Sequence, residues 1–222
     1  MEQKQYAVLG LGIFGSTIAK TLSEYGCDVI AIDKDIENVE RVAGFATTAI
    51  QADFTDIEQL RDIGFGDVDV AVVATGSKLE ASIIAITNLK ELGVPYILAK
   101  AKNKIYMQIL LKVGADRVIR PEKEMGEQIA KSLLSRNIVE VIELDNKYSV
   151  VELVTPKKWI GYDLKSIDVR RKYGMNIIAC KKQGSDEFSF APGPDYVMEK
   201  GDHILVVAEH TVFEQNEYLG KL

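Results

Sequence analysis

The hexapeptide Gly10-Leu11-Gly12-Ile13-Phe14-Gly15 has the glycine spacing that cradles a diphosphate. It follows a short apolar run and opens a helical pattern, which is the context that the motif needs. The first glycine permits a tight turn, the second lets the backbone approach a diphosphate, and the third lets helix and strand pack closely. Free N–H groups at the helix N-terminus then offer partial positive charge to phosphate oxygens. The hexapeptide therefore predicts a nucleotide-binding turn.

A carboxylate stands where such a site needs one. Asp33 ends the next apolar run about 20 residues after the glycines, a position from which a carboxylate binds ribose hydroxyls. Lys34 follows it, and we assign Lys34 to the same site. The charge of Asp33 repels a 2′-phosphate, which disfavours NADP relative to ligands with a free adenosine ribose. Asp53 follows the third apolar run and either reaches the adenine edge or caps a turn or helix.

Later apolar runs also end in residues that suit a nucleotide. Thr75 and Gly76 follow the fourth run, at the sheet edge where such folds bind ligands. Lys100 and Lys102 follow the fifth run and can neutralise phosphate, although for Lys102 we favour a solvated surface charge. Glu122 comes at a helix start, where it either complements the helix dipole or binds a divalent cation.

Strand-like and helix-like patterns alternate six times in the segment that must position these residues. The predicted strands are mostly apolar and show no alternation between apolar and polar positions, which is typical of a parallel sheet that is covered on both faces. Their ranges are 6–9, 28–32, 47–51, 68–74, 96–100 and 117–119. We therefore predict an α/β fold, a Rossmann-like doubly wound parallel sheet, over residues 1–136.

The pattern changes near residue 137. Residues 139–144 and 149–154 alternate with period 2, as antiparallel strands with one wet face do. Two further apolar runs, 176–180 and 203–208, flank a loop rich in glycine and proline. We predict that residues 137–222 form a connector and a small α+β C-terminal domain.

The composition argues against several partners and locations. A formal net charge of −6 provides no basic footprint for nucleic acid or for anionic membrane surfaces. No uninterrupted apolar run reaches the roughly 20 residues that span a bilayer, so we expect no direct membrane insertion. Cys27 and Cys180 lie far apart, and the N-terminus lacks the apolar core of a signal peptide. We therefore expect a cytoplasmic protein with reduced thiols.

Catalytic groups are scarce in this sequence. The two histidines, His203 and His210, lie at or beyond the last predicted strand. The sequence contains no Cys/His cluster for zinc, no Gly-x-Ser-x-Gly elbow and no Walker lysine. The C-terminal domain is also small and made mostly of strands, so it is poorly suited to enclose a substrate. We therefore predict that the protein is not an enzyme.

Several segments occur in an order that resembles one protein family. They are the glycine hexapeptide with its strand, Ala31-Ile32-Asp33, Val72-Val73-Ala74-Thr75-Gly76, Ala99-Lys100-Ala101-Lys102-Asn103, and residues 114–126. In this order they resemble the Ktr/Trk potassium-uptake regulatory subunits, which pair an N-terminal RCK domain (TrkA-N) with a C-terminal RCK domain (TrkA-C). The resemblance covers essentially the whole chain.

The resemblance implies a cytosolic gating module. Family members form homodimers that assemble into an octameric ring beneath a membrane potassium-translocating subunit. ATP and ADP, or NAD(H) in some members, occupy the N-terminal site, and ligand exchange changes the shape of the ring. A nucleotide gates the pore only if it binds one state of the ring better than the other.

The resemblance also implies roles for individual residues. The three glycines and Lys100 would face phosphates, Asp33 the ribose and Asp53 the adenine. Glu122 would lie near the phosphates at the dimer interface, where relatives can hold a divalent cation. Many relatives have arginine where this chain has Ile13, and isoleucine cannot pair with a terminal phosphate as arginine does. We expect weak discrimination between ATP and ADP, or a preference for a dinucleotide or an AMP-like ligand.

The segment 164–177 resembles the part by which several relatives bind cyclic di-AMP between two C-terminal domains. Arg170 would meet a phosphate, Asn176 and Ile177 would contact the base, and Pro192 would pack from the loop. Lys165 stands where some binders have an apolar residue, and the segment is also consistent with a basic solvated turn. The predicted set comprises Leu164, Lys165, Asp168, Arg170, Asn176, Ile177 and Pro192.

Two rival hypotheses stay open. A small NAD-dependent oxidoreductase would need a substrate pocket beside the nicotinamide and measurable hydride transfer. A free-standing nucleotide or redox sensor would act on another partner, such as a transcriptional regulator, for which the sequence shows no basic recognition helix.

Overall fold

The computed structural model describes residues 4–76, 78–134 and 138–213. The chain divides into two compact units, Met1–Lys123 and Glu124–Leu222. The predicted division between residues 136 and 137 falls within the segment 135–137, outside the described residues. In the second unit, Met125 and Ile129 of the helix before that segment line a cavity with Val139 and Val141.

Alternating strands and helices make up the first unit. Their bounds are β1 (Gln5–Leu9), α1 (Ile13–Glu24), β2 (Asp28–Asp33), α2 (Ile36–Val42), β3 (Thr48–Gln51), α3 (Ile57–Ile63), β4 (Val70–Val73), α4 (Leu79–Glu91), β5 (Tyr96–Lys100), α5 (Lys104–Val113), β6 (Arg117–Ile119) and α6 (Pro121–Leu134). The strands lie within two residues of the ends predicted from the sequence. Helix α6 begins in the first unit and continues into the second.

In the described residues of the first unit, β1 to β6 form one parallel sheet in the order β3-β2-β1-β4-β5-β6. This is the doubly wound order, in which the direction of winding reverses between β1 and β4 and leaves a crevice at their carboxyl ends. Ala7 and Leu9 pack into one apolar cluster, whereas Val8 packs into another. The sheet therefore has a core on each face, and the predicted Rossmann-like fold class is confirmed.

The second unit is an antiparallel sheet with short helices. Beyond α6, its elements are β7 (Ile138–Glu143), β8 (Tyr148–Val154), α7 (Leu164–Ile167), α8 (Val169–Tyr173), β9 (Asn176–Lys181), β10 (Ser189–Phe190), β11 (His203–Glu209) and α9 (His210–Phe213). Within the described residues the sheet order is β10-β9-β11-β8-β7. Val151 and Leu153 of β8 are buried while Glu152 between them faces the other side, as the period-2 pattern predicts. The predicted α+β character is confirmed.

The sequence pattern does not predict α7 and α8, because helices of four and five residues show no periodicity. They form because Ile167 and Val169 are buried and because Asp163 caps α7 by accepting from the Ser166 N–H at 2.7 Å. Asp168, with φ +51°, separates them. Of the helices that the structure describes, none is long and apolar enough to cross a membrane.

Candidate nucleotide-binding site

The turn between β1 and α1 requires glycine at two positions. Gly10 has φ +94°, and its N–H donates to the Ile32 carbonyl oxygen at 2.9 Å. A Cβ on Gly15 would lie 1.9 Å from the Gly10 carbonyl oxygen, so a side chain there would force α1 away from β1. A Cβ on Gly12, by contrast, would meet nothing within 4 Å. Gly12 therefore keeps open space in front of the N-terminus of α1, where a phosphate could approach the backbone.

A cleft of about 420 Å³ opens in front of this turn, and its volume lies in the range of small-molecule sites. The cleft is lined by Gly10, Gly12, Asp33, Ala74, Thr75, Gly76, Lys100, Lys102 and Glu122. The structure thus brings together predicted residues that come from distant parts of the sequence. It can do so because parallel strands end at one sheet edge, on both sides of the point where the winding reverses.

The Asp33 carboxylate is held by protein donors. Its Oδ2 accepts from the Leu11 N–H at 2.6 Å and from Asn38 Nδ2 at 3.2 Å. Its Oδ1 accepts from the Asp35 N–H at 2.9 Å. The bond to Leu11 fixes the glycine turn to the end of β2. A carboxylate has about four acceptor positions, so capacity for a ribose hydroxyl remains.

Lys100 and Glu122 form a close ion pair within the cleft. The Lys100 ammonium also lies 5.5 Å from the centroid of the Phe14 ring, within range of a cation–π interaction. A hydrogen bond from Lys100, followed by one from the Glu122 backbone amide, holds the pKa of the Glu122 carboxyl below its ordinary value. Lys102 lies 4.8 Å from the centroid of the Tyr106 ring. The cleft therefore combines two ammonium groups and a helix N-terminus with two carboxylates.

Lys34 and Asp53 pair with each other outside the set that lines this cleft. Lys34 Nζ lies 2.8 Å from Asp53 Oδ2, and Asp53 Oδ1 accepts from the Thr55 N–H at 2.8 Å. Burial raises the pKa of the Asp53 carboxyl, but hydrogen bonds from Lys34 and Thr55 outweigh burial and lower it. The carboxylate thus closes a turn, and its contact with adenine stays a prediction. Lys34 and Thr55 also line a second cavity of about 410 Å³ with Lys78.

Ile13, the first residue of α1, is 86% exposed. Single exposed apolar side chains are common on protein surfaces, so the exposure alone assigns no role to Ile13. Its position after Gly12 places it next to the open space at the helix N-terminus. Its aliphatic side chain contributes no charge there.

In the second unit, backbone contacts join the segments of the predicted effector site. The Leu164 N–H donates to the Tyr196 carbonyl oxygen at 3.1 Å, and the Lys165 N–H donates to that of Pro194 at 3.0 Å. The Ala191 N–H donates to the Ile178 carbonyl oxygen at 2.8 Å, which holds the loop with Pro192 against β9 near Ile177. Arg170 and Asn176 are exposed on α8 and at the start of β9, and Asp168 is half-buried between the two helices.

Sequence comparison relates this chain to proteins of potassium transport. The TrkA-N domain family model matches residues 6–121, and the TrkA-C domain model matches residues 149–215. Ktr system potassium uptake protein C of Bacillus subtilis is 38% identical over 94% of this chain and 94% of that protein. Ktr system potassium uptake protein A of the same organism is 37% identical over 93% of this chain and 92% of that protein. The chain belongs to the TrkA-N/TrkA-C family.

Solved structures agree with the TrkA-N/TrkA-C assignment at the level of the fold. The GsuK channel bound to NAD aligns with a TM-score of 0.66 and 13% identity, over 98% of this chain and 39% of that chain. The TrkA-N domain of the inner membrane protein ybaL from Escherichia coli aligns with a TM-score of 0.53 and 15% identity, over 58% of this chain and 95% of that chain. At these identities the likeness shows a shared fold.

Three contacts of this TrkA-N site lie beyond what residue types predict. They are the Lys100–Glu122 pair, the Lys34–Asp53 pair and the bond from Asn38 to Asp33. In each contact, the distance between the two side chains depends on the fold or on the rotamers that the side chains adopt. Only the contact of Asn38 could have been predicted from the sequence. Asn38 lies five positions after Asp33 in the next helix, close enough for its side chain to reach the carboxylate.

Proposed function

We propose that this chain is a cytoplasmic regulatory subunit of a potassium uptake system, and that it binds an adenine nucleotide in the cleft at the end of β1. Its homology to Ktr system potassium uptake proteins over most of its length supports the system. The observation that supports an adenine nucleotide as the ligand is the open space at Gly12, in front of the N-terminus of α1. Nucleotide binding, rather than catalysis, is the role of this site.

The cleft residues suit the parts of such a ligand. Backbone N–H groups beyond Gly12 and the ammonium of Lys100 face the position of the phosphates. The remaining acceptor capacity of Asp33 suits a ribose hydroxyl, and we assign the adenine side to the Lys34–Asp53 pair, which lies outside the set that lines the cleft. Thr75 and Gly76 form the wall beyond β4.

A divalent cation would require more than this chain supplies. Among the described residues, no group of three or more His, Cys, Asp or Glu side chains is placed to hold a metal ion. Glu122 would be one ligand, with phosphate oxygens and water completing the shell, as is common for Mg²⁺.

The partner follows from the relatives. A subunit of this kind acts on a membrane potassium-translocating subunit and lies at the inner face of the membrane through that partner. We propose that homodimers assemble into an octameric ring. Cyclic di-AMP is the second proposed ligand, bound by the segment around Arg170 in the C-terminal domain.

Calorimetric titration of the purified chain with ATP, ADP, AMP, NAD and NADH tests the nucleotide site. We expect an adenine ligand to bind and ATP to bind no more than about tenfold tighter than ADP, because Ile13 supplies no charge for a terminal phosphate. Ile13→Arg is the matched variant and should strengthen ATP binding selectively. ATP binding far tighter than ADP in the natural chain would contradict the role of Ile13. No binding of any of the five would contradict the site.

A further inference from the structure

The ammonium that the proposed site offers to phosphate already has a partner. Lys100 is largely buried, with 16% of its side chain exposed, whereas its partner Glu122 is 68% exposed. The Lys100 stem packs beside Gly76, where an added Cβ would lie 3.3 Å from Lys100 Cε. The ring of Phe14 lies on another side. The lysine is therefore fixed by its surroundings, and the carboxylate is the partner that can move.

We propose that, when no divalent cation is bound, Glu122 is an internal counter-ion of Lys100, which a ligand phosphate must displace to bind. This inference rests on the proposed nucleotide site. If Glu122 stayed in the pair, a phosphate bound to Lys100 Nζ would lie close to the Glu122 carboxylate. The two negative charges would then repel each other. Glu122 can leave at little cost, since an exposed carboxylate regains water when it rotates outward. The pair thus sets how strongly the cleft favours charged ligands over neutral ones.

Glu122 lies at the start of a helix that contributes residues to both units of the chain. Glu122 lies in the first turn of α6, which begins in the first unit and continues into the second. Capture of Lys100 by phosphate removes a side-chain contact from the start of this helix. Occupancy of the cleft therefore changes a contact at the start of α6, within the three residues of this helix that belong to the first unit.

Glu122→Gln tests the proposal, because glutamine keeps the shape of the side chain and removes its charge. Glu58→Gln is the matched control, since Glu58 is also an exposed first-turn glutamate, paired with Arg61 at 2.6 Å on α3. ADP and adenosine are titrated calorimetrically into the natural chain and both variants, in buffer containing a chelator. We expect Glu122→Gln to bind ADP at least about two- to fivefold tighter, because that is the range for exposed ion pairs and Lys100 is largely buried. Adenosine binding, and all binding by Glu58→Gln, should match the natural chain.

A second measurement separates displacement from a general effect of charge. With carboxyl-labelled glutamate, carbon NMR follows the pKa of Glu122, which the Lys100 hydrogen bond lowers in the free chain. Displacement predicts that this pKa rises when ADP binds. A pKa that stays lowered, or ADP binding that is unchanged or weaker in Glu122→Gln, overturns the proposal. Absence of ADP binding in all three proteins overturns the nucleotide site itself.

Discussion

Gly12 and Gly15 belong to one hexapeptide but are required for different physical reasons. A Cβ at Gly15 would collide with the Gly10 carbonyl oxygen, whereas a Cβ at Gly12 would meet no protein atom within 4 Å. Gly12 also has φ −63°, which alanine adopts without strain. At the residue scale, Gly15 therefore serves the fold, and Gly12 is the glycine proposed to serve the ligand.

This difference predicts opposite outcomes for two alanine variants. Gly15→Ala should lower the free energy of unfolding by about 1–3 kcal/mol, because α1 must shift to relieve the overlap. Gly12→Ala should unfold as the natural chain does and lose at least about tenfold in ADP affinity, since its methyl group fills the approach to the backbone N–H groups. Thermal unfolding by circular dichroism and calorimetry measure the two quantities. A stable Gly15→Ala, or full ADP affinity in Gly12→Ala, would contradict the assignment.

At the scale of elements, the sequence predicts what periodicity and composition encode. The six apolar runs of the first unit and the alternating runs of the second were sufficient to predict their strands and both fold classes. Helices α7 and α8 could not be predicted, because buried Ile167 and Val169 hold them and no local pattern does. The glycines, Asp33 and Lys100 could be placed in one cleft by strand order alone. The Lys100–Glu122 pair could not, because it depends on the rotamers of two long side chains.

The segment from α7 to β9 carries the proposed second ligand, and its test belongs to this scale. Arg170→Ala should abolish cyclic di-AMP binding, because it removes the charge proposed to meet a phosphate. Arg171→Ala is the matched control, being the next residue of α8, exposed and equally charged. Calorimetry with cyclic di-AMP measures this effect, and ADP titration should give the natural affinity in both variants. Equal cyclic di-AMP affinity in Arg170→Ala and the natural chain would rule out this site.

At the scale of the whole molecule, the proposed nucleotide binding would regulate uptake only through coupling to the proposed membrane partner. A ligand that binds two states of a ring equally shifts neither, however tightly it binds. By linkage, if ADP changes the affinity of the proposed ring for the proposed translocating subunit by some factor, the subunit changes the affinity for ADP by the same factor. Regulation can therefore be measured as two ratios of affinity, one for ADP with and without the subunit and one for the subunit with and without ADP. No current needs to be recorded.

The prediction is that these two ratios agree and differ from one. ADP affinity is measured for the chain alone and with the translocating subunit in lipid discs, and subunit affinity is measured with and without ADP. Typical couplings of about 1–3 kcal/mol correspond to about 5- to 150-fold changes, well within calorimetric precision. Gly12→Ala supplies the control, because a chain that has lost ADP should bind the subunit with an affinity that ADP leaves unchanged. Equal ADP affinity in the presence and absence of the subunit would mean that ADP is a bound ligand but not the regulator, and the same pair of measurements would then be applied to NAD.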